Sequence, residues 1–478
     1  MKLKSFFFLY FLTGLMTLSS CSDSNNDPGT DEPDNPAEST FPEVETNGNL
    51  NVLDCGVVGN GTTDNTTLLQ RAINECSSKS ATILFPKGTY YTRPLFLKSN
   101  VTLDLEEGAV ILGSPIKSDY DDVFPDATSI ETSALIYGED VENVKITGKG
   151  KIDGQGGSSD FQLGNGASGR PKLVFFVRSN NITLENIQLV NSAFWTIHFL
   201  TCDTVNIKGI SVYGHCNWNN DGMDIDAKNV TVSGCSIDCD DDGLCFKSDR
   251  SVICENATVT NCIIKSNCNA IKFGTASKSG FKNISVTHCK ISKASEENFR
   301  HWKTTYPWAG ITQDATVLEG IAVESVDGGI LDGITISDIE MTDVQTAIFI
   351  RLGDRARTYS DDISSLKNVS ISGITAKAES KLACSITGVP DGIIENILIK
   401  DAQITVPGGG TEADANAVVP EKEDSYPENR MFGVILPAYG FYVRHAKNVT
   451  FENVVINTLQ PDARPEYKFD DVNGYTIN

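Results

Sequence analysis

One phrase, an asparagine followed by alternating aliphatic and mostly polar residues, recurs along the chain and limits its possible folds more than any other feature. It reads Asn100-Val-Thr-Leu, Asn143-Val-Lys-Ile, Asn181-Ile-Thr-Leu, Thr204-Val-Asn-Ile, Asn229-Val-Thr-Val, Asn256-Ala-Thr-Val, Asn283-Ile-Ser-Val, Asn368-Val-Ser-Ile, Asn396-Ile-Leu-Ile and Asn448-Val-Thr-Phe. In the central part the phrase returns roughly every 25 residues, a period typical of stacked units. Such a unit cannot bury its apolar face alone and must lie on its neighbours. The alternating aliphatics make each phrase a short strand with one face inward. The asparagine suits a turn that needs left-handed geometry or a ladder of amides. The chain is therefore predicted to be all-β, a single-stranded, right-handed parallel β-helix. Several phrases match the N-glycosylation pattern, but the repeat accounts for them.

A solenoid also resolves a problem of size. Residues 47–478 exceed the roughly 250–300 residues at which single cores stop growing, whereas a solenoid extends along one axis. Before the repeats, a turn through Gly59-Asn60-Gly61 leads to a predicted helix with Leu68, Leu69, Ala72, Ile73 and Cys76 on one face and Asp64 or Asn65 as N-cap. It is expected to cap the open end of the solenoid, where unpaired strand edges would otherwise be exposed. The chain has 13 cysteines, of which Cys235, Cys262 and Cys289 each fall six positions after a repeat asparagine. They are expected to stack at an interior corner as free thiols, which behave as small hydrophobes. No Cys-x-x-Cys pairs with a second one or with histidines at zinc spacing, so neither a structural metal nor a cofactor is expected.

The chain begins with Lys2 and Lys4, an apolar run from Phe6 to Met16, and small residues up to Cys21. This has the anatomy of an export signal and is too short for an ordinary membrane span. Leu18-Ser19-Ser20-Cys21 resembles a bacterial lipobox, which implies that residues 1–21 are a lipoprotein signal, that Cys21 carries lipid, and that the mature protein is anchored to the outer membrane, facing the periplasm or the cell surface. Residues 22–46, rich in Asp, Glu, Asn, Pro, Ser and Thr, are expected to form a disordered tether. The formal charge of −24 argues against nucleic acid as a partner and against a polybasic membrane patch. A monomer is expected.

The chemistry concentrates between Asn219 and Ser248. Aligning coils by their phrases sets Asp221-Gly-Met-Asp224-Ile-Asp226 beside Asp242-Gly-Leu-Cys245-Phe-Lys247, and that beside Asn269-Ala-Ile-Lys272-Phe-Gly274. Met223, Ile225, Leu244, Phe246, Ile271 and Phe273 then point inward, and the residues between them face solvent. With coils about 4.8 Å apart, Asp221, Asp242 and Asn269 form one row, and Asp226 and Lys247 are expected to pair across coils. Carboxylates so close cannot all ionise freely, so one is pushed up into the range of an acid while another activates water. Hydrolysis of a glycosidic bond requires those two functions.

At these residues the chain resembles glycoside hydrolase family 28, the polygalacturonase family, whose solenoid is of the pectin-lyase type. Asn219-Asn220-Asp221, Asp241-Asp242 and Lys247 match its N-T-D and D-D motifs and its downstream lysine. The N-terminal segments Asn51–Cys76 and Phe85–Ser114 are similar to those of its bacterial members. The resemblance implies inverting hydrolysis of a galacturonic-acid-containing, pectic chain, with Asp241 as general acid and Asp221 and Asp242 as the bases that hold water. Two family motifs are missing. The G-H-G motif falls at Cys268-Asn269-Ala270, and the uronate-gripping R-I-K motif falls near Gly320-Ile-Ala-Val323.

Other cations must then grip the substrate: Lys272, Arg351 on a later coil, and Arg300 and Lys303 in an aromatic insertion at Ser295–Glu319. An arginine suits bidentate contact with a carboxylate. Asn269, Lys247, Asp224 and His198 complete the expected binding set. All four tryptophans, Trp195, Trp218, Trp302 and Trp308, lie near the acidic coils, and sugar faces pack on such rings. Residues Gly408–Tyr426 lack periodicity and read as a loop outside the stack; solenoid insertions commonly emerge on the ligand face. Two other readings fit the same acids: a polysaccharide lyase holding Ca²⁺ on Asp224, Asp226, Asp238 and Asp240, and a non-catalytic glycan-binding β-helix.

Overall fold

Each repeat phrase forms a strand whose two aliphatic residues point inward. Val230, Ala257, Ile284, Ile334, Val369, Ile397 and Val449 stand side by side in one parallel, in-register row, all buried. The structure, a computed structural model, describes residues 41–124, 133–162, 169–355 and 364–478. The expected signal, Cys21 and most of the tether therefore lie outside the described residues. Pro42–Asn478 forms one unit. Its packing already begins at buried Val44, two residues before the expected end of the tether.

The strands make a parallel β-helix with successive coils hydrogen-bonded to one another in three ladders among the described residues. Ile284 pairs directly with Ile334, so the insertion between them leaves the stack and returns to it. This register reveals a repeat with no asparagine: Gly333-Ile334-Thr335-Ile336, where Gly333 takes φ +78° at no steric cost.

The asparagines do both things for which they suit a turn. Apart from Gly333, the leading residue of every phrase named above has φ between 52° and 62°. The side-chain amides also form a ladder: Asn143 donates to Asn100 at 2.8 Å, Asn181 to Asn143 at 2.8 Å, Asn283 to Asn256 at 2.9 Å, and Asn448 to Asn396 at 3.1 Å. Where the preceding coil lacks the asparagine, aspartates accept instead: Asn229 donates to Asp203 at 2.7 Å and Asn368 to Asp332 at 2.6 Å. Replacing such an asparagine by alanine leaves a Cβ in left-handed geometry without the polar side chain that makes it tolerable, and breaks the amide chain. Asn256→Ala is expected to cost about 1–2 kcal/mol and Asn256→Gly less, as read from denaturation midpoints.

Helix α1 (Thr66–Ser77) buries Leu69, Ala72, Ile73 and Cys76 and packs on the strands Thr82–Phe85 and Leu95–Phe96. Asp64 accepts from the Thr66 amide at 2.9 Å, while Asn65 bonds the preceding loop through Val58. Cys235, Cys262 and Cys289 are buried and free, and the register continues their row with Ile339. They occupy aliphatic positions.

The ladder that carries the acids contains β1 (Ile197–Lys208), β2 (Met223–Ser233), β3 (Leu244–Ser248), β4 (Ile271–Ser277), β5 (Val317–Ser325) and β6 (Ile330–Leu352). Ile197, Met223, Leu244, Ile271, Ile321 and Ile348 are register partners. The inward residues of β2, β3 and β4 are those expected, and Phe246 stacks on Phe273 at 4.8 Å. Asp224, Cys245 and Lys272 do point outward in one row, but they are buried and not solvent-facing. Neighbouring side chains close over them: Lys247 on Asp224 and Tyr426 on Lys272.

Candidate active site

Two tight turns place the catalytic-type acids at the entry to the ladder. Asn220, fully buried, fixes the first: its Oδ1 accepts from the amides of Cys216 and Asn217, and its Nδ2 donates to the carbonyls of Ser192 and Phe194, both at 2.9 Å. Asp221 follows this clamp. The Gly222 amide donates to the Asp242 carbonyl at 2.8 Å, and the Gly243 amide to the Asn269 carbonyl at 2.7 Å, so the three coils approach closely. A Cβ on Gly222 would lie 2.4 Å from the Ile237 side chain and 2.6 Å from the Gly243 carbonyl, which explains the glycine after the aspartate.

Asp242 sits in a cationic grip. Lys272 Nζ donates to its carboxylate at 3.0 Å, and Asn269 donates to it from Nδ2 at 2.8 Å and from the main chain at 3.2 Å. Burial by itself would raise this carboxyl, but the charges of Lys272 and Lys247 and the bonds from Lys272 and Asn269 outweigh it and hold Asp242 well below the usual carboxylate range. Asp221 goes the opposite way. Burial, and then the like charges of Asp224, Asp241 and Asp242, push it well above its ordinary value against the opposing charge of Lys247. Asp241 is held by Arg300, whose Nη2 donates to its carboxylate while Nε donates to the Asp240 carbonyl at 2.9 Å.

These groups line two adjoining chambers. The first, about 310 Å³, is bounded by Trp195, His198, Asp221, Asp242, Lys247 and Lys272, among others. The second, about 220 Å³, is bounded by Trp218, Arg300, Trp302, Asn269, Glu428 and Arg430, among others. Asp241, Asn219 and Tyr426 line both, so Asp241 stands at their junction.

The expected binding set is only partly assembled here. His198 lies against the first chamber, stacked on Phe175 at 4.8 Å with the Trp195 ring at its edge. Lys247 lies 3.1 Å from Asp224, not paired with Asp226, because Asp226 accepts the Asp249 amide at 2.9 Å where the register between β3 and β4 slips. Asp224 is therefore a buried counterion, pushed up by burial to about 6 against the charge of Lys247, and does not line either chamber. Arg351 has the expected outward direction, but the chain at Glu421–Lys422 lies over it. Its guanidinium donates to the carbonyls of Gly388, Glu421 and Lys422, each at 3.0 Å, and so it fixes that excursion and not a substrate. Lys303 turns away in the short helix Trp302–Thr305 and donates to the Thr312 carbonyl at 3.1 Å. Trp308 is exposed and lines neither chamber, whereas Trp302 is buried in the second and donates from Nε1 to the Asn267 carbonyl at 2.8 Å.

Several site residues escaped the sequence reading. Tyr426 accepts from Lys272 Nζ at 3.1 Å, and Arg430 lies 4.4 Å from the Trp302 ring and 4.0 Å from Tyr306. The only sequence signal for them was the aperiodic interruption that contains or adjoins them. Arg170, whose Nη2 donates to Asn219 at 3.1 Å, lies outside any repeat phrase and had no signal.

The acids proposed for Ca²⁺ have other partners. Asp224 has Lys247, Asp226 the Asp249 amide, Asp238 His215 and Lys265, and Asp240 Arg300. Among the described residues, Asp241, Asp242 and Cys268 present atoms within 4.8 Å of one another and could share a cation. Arg300, Lys272 and Asn269 already serve those carboxylates, so no metal is assigned there.

Beneath the second chamber, Glu319 on β5 anchors the excursion by accepting the Asn429 amide at 2.5 Å. Burial pushes Glu319 up to about 8 against that bond, and pushes the neighbouring Glu324 up to about 7 against the charge of Lys272. A carboxyl raised in the folded state keeps its proton there more readily than in the unfolded chain. Its stabilising contribution is thus complete below the ordinary glutamate value of about 4.3 and is lost as pH climbs through the folded one. The melting temperature is expected to fall between pH 5 and about 8, and Glu319→Gln to flatten part of that fall in thermal melts.

The sequence matches the model of glycosyl hydrolases family 28 over residues 82–425. It is 33% identical over 214 residues to a probable polygalacturonase of Vitis vinifera, a match covering 41% of this chain and 44% of that one. The chain spans about half or less of the length of the curated relatives it matches. In structure it is similar to an exopolygalacturonase from Thermotoga maritima, with TM-score 0.61 and 21% identity over 86% of this chain and 91% of that one. It is also similar to a family 28 exopolygalacturonase of Yersinia enterocolitica, with TM-score 0.66 and 18% identity over 90% and 78% of the two chains. At such identities the structural likeness speaks to the fold, and the chemistry has to be argued from the site.

Proposed function

The chain belongs to glycoside hydrolase family 28, and on that premise we propose that it hydrolyses a galacturonic-acid-containing, pectic chain with inversion at the anomeric carbon. Asp241 is the general acid, and Asp242, with Asp221 beside it, holds and deprotonates the attacking water. One observation carries this reading: Asp241 lines both chambers, while Asp221 and Asp242 line only the first. A sugar whose anomeric carbon faces Asp221 and Asp242 therefore sits in the first chamber, and the leaving sugar in the second, with the bridging oxygen at Asp241. The charges fit the roles, since Lys272 and Asn269 keep Asp242 in the ionised form a base requires.

Asp241 and Asp242 approach more closely than the roughly 6.5–9.5 Å usual for inverting pairs. Inversion is accordingly tested directly, by proton NMR of the first products from an α-linked galacturonan. The β-anomer should appear first and equilibrate later; an α-anomer appearing first would overturn the assignment of Asp242 as a water-activating base. A lyase would instead leave unsaturated ends and lose activity with a chelator.

The coils wind right-handed, as parallel crossovers do, and α1 caps them, supported by its four residues buried against the first strands. Residues 1–21 direct export and Cys21 takes a lipid that holds the enzyme at the outer membrane, supported by the lipobox-like Leu18-Ser19-Ser20-Cys21. Labelling with a fatty-acid probe that persists in Cys21→Ala would contradict the anchor.

A further inference from the structure

The coil after Lys272 brings no cation to its row: Ala322 stands beside Lys272 in the ladder, between the acids Glu319 and Glu324. A uronate on the leaving side must find its cation elsewhere. Two arginines line the second chamber. Arg430 is the less accessible of the two: its Nη2 donates to Glu428 at 2.7 Å, and its Nε and Nη1, though without a hydrogen-bond partner, are buried where the guanidinium lies against the rings of Trp302 and Tyr306.

Arg300 is different. Its guanidinium carbon lies 4.8 Å from the Trp218 ring and 5.3 Å from the Trp302 ring, so its plane is guided by aromatic faces. Nε serves Asp240, with its carbonyl at 2.9 Å and its carboxylate at 3.3 Å, and Nη2 serves Asp241. Nη1 has no protein acceptor among the described residues, and Arg300 lines the chamber assigned to the leaving sugar.

We propose that Arg300 receives the carboxylate of the leaving galacturonate on its Nη1 and so sets the preference for a free uronate on the leaving side. This rests on the assignment of Asp241 as general acid. A carboxylate there would accept from Nη1 while Nε and Nη2 keep Asp240 and Asp241. The charged groups facing Arg300 are Asp240, Asp241, Asp242, Glu428 and Arg430; Asp240 keeps Nε, Asp242 is held by Lys272, and Glu428 by Arg430. The proton count then closes. Asp241 takes a proton from solvent and passes it to the glycosidic oxygen as the bond to the anomeric carbon breaks. The water that adds to that carbon gives its proton to Asp242. A neutral or esterified leaving sugar lacks the contact with Nη1, so selectivity appears in kcat/KM.

The test compares a galacturonate trimer with its methyl ester on the wild type, Arg300→Gln and Arg300→Lys. The wild type should favour the acid substrate by roughly 10- to 100-fold in kcat/KM, the scale of a charge-assisted hydrogen bond. Arg300→Gln should bring that ratio close to one, and Arg300→Lys should restore part of it. A variant that slows both substrates equally and leaves the ratio intact overturns the proposal and makes Arg300 a structural brace. If the wild type hydrolyses neither substrate, the proposed function itself fails. Calorimetry of the two trimers on wild type and Arg300→Gln then decides the binding role: a carboxylate preference lost in the variant supports it, and equal affinities overturn it.

Discussion

Asp241→Asn is expected to lower kcat on a galacturonan by about 10²- to 10⁴-fold, the usual contribution of general acid catalysis, with KM and melting temperature close to those of the wild type. The amide is nearly isosteric and its carbonyl can still accept from Arg300, which now bonds the carboxylate. It has no proton to give to the departing oxygen. Asp241 also accepts the Asp242 amide at 3.0 Å through Oδ1, a bond that asparagine can keep. A loss seen in KM alone would mean that Asp241 binds substrate and does not protonate it. A loss matched by a fall in melting temperature would point to a structural role.

Lys272→Met should be the most destabilising single change at the site. Lys272 and Asp242 are both buried and 3.0 Å apart, so removing the cation leaves an uncompensated carboxylate in the interior. Breaking a buried pair in this way costs about 3–5 kcal/mol, whereas removing both partners costs much less. Chemical denaturation of Lys272→Met, Asp242→Asn and the double variant separates these terms; the double variant should be more stable than Lys272→Met. The sign of the pH effect follows from the depressed value of Asp242 in the folded protein. Its contribution to stability is present above the ordinary carboxylate range and is lost as pH falls through the folded value. In Lys272→Met that loss on acidification should largely vanish, and Asp242 should become protonated at higher pH, which removes the base.

What the sequence made legible follows from period. Two-residue alternation sets the direction of a side chain within a coil, so the inward Met223, Ile225, Leu244, Phe246, Ile271 and Phe273 could be named without a structure. The row Asp221, Asp242, Asn269 follows from the spacing between phrases, and so does the cysteine row at Cys235, Cys262 and Cys289. Direction says nothing about what lies on top. Arg351 points outward as expected, yet Glu421 and Lys422 cover it, and Asp224 points outward under Lys247. The covering segments have no period, and their position is decided by docking over long sequence separations: Asn429 on Glu319, Arg300 on Asp241, Tyr426 on Lys272. No local pattern encodes those contacts, so Tyr426 and Arg430 were missed while Lys303 and Trp308, from the same kind of segment, were wrongly placed in the site.

Reducing ends released from homogalacturonan by the unit from Pro42 onward, measured beside rhamnogalacturonan and neutral glycans, test the central claim most directly. The expected result is release of saturated galacturonides from a pectic chain, insensitive to chelator and absent in Asp241→Asn. Release of unsaturated ends, or turnover confined to neutral glycans, would contradict it.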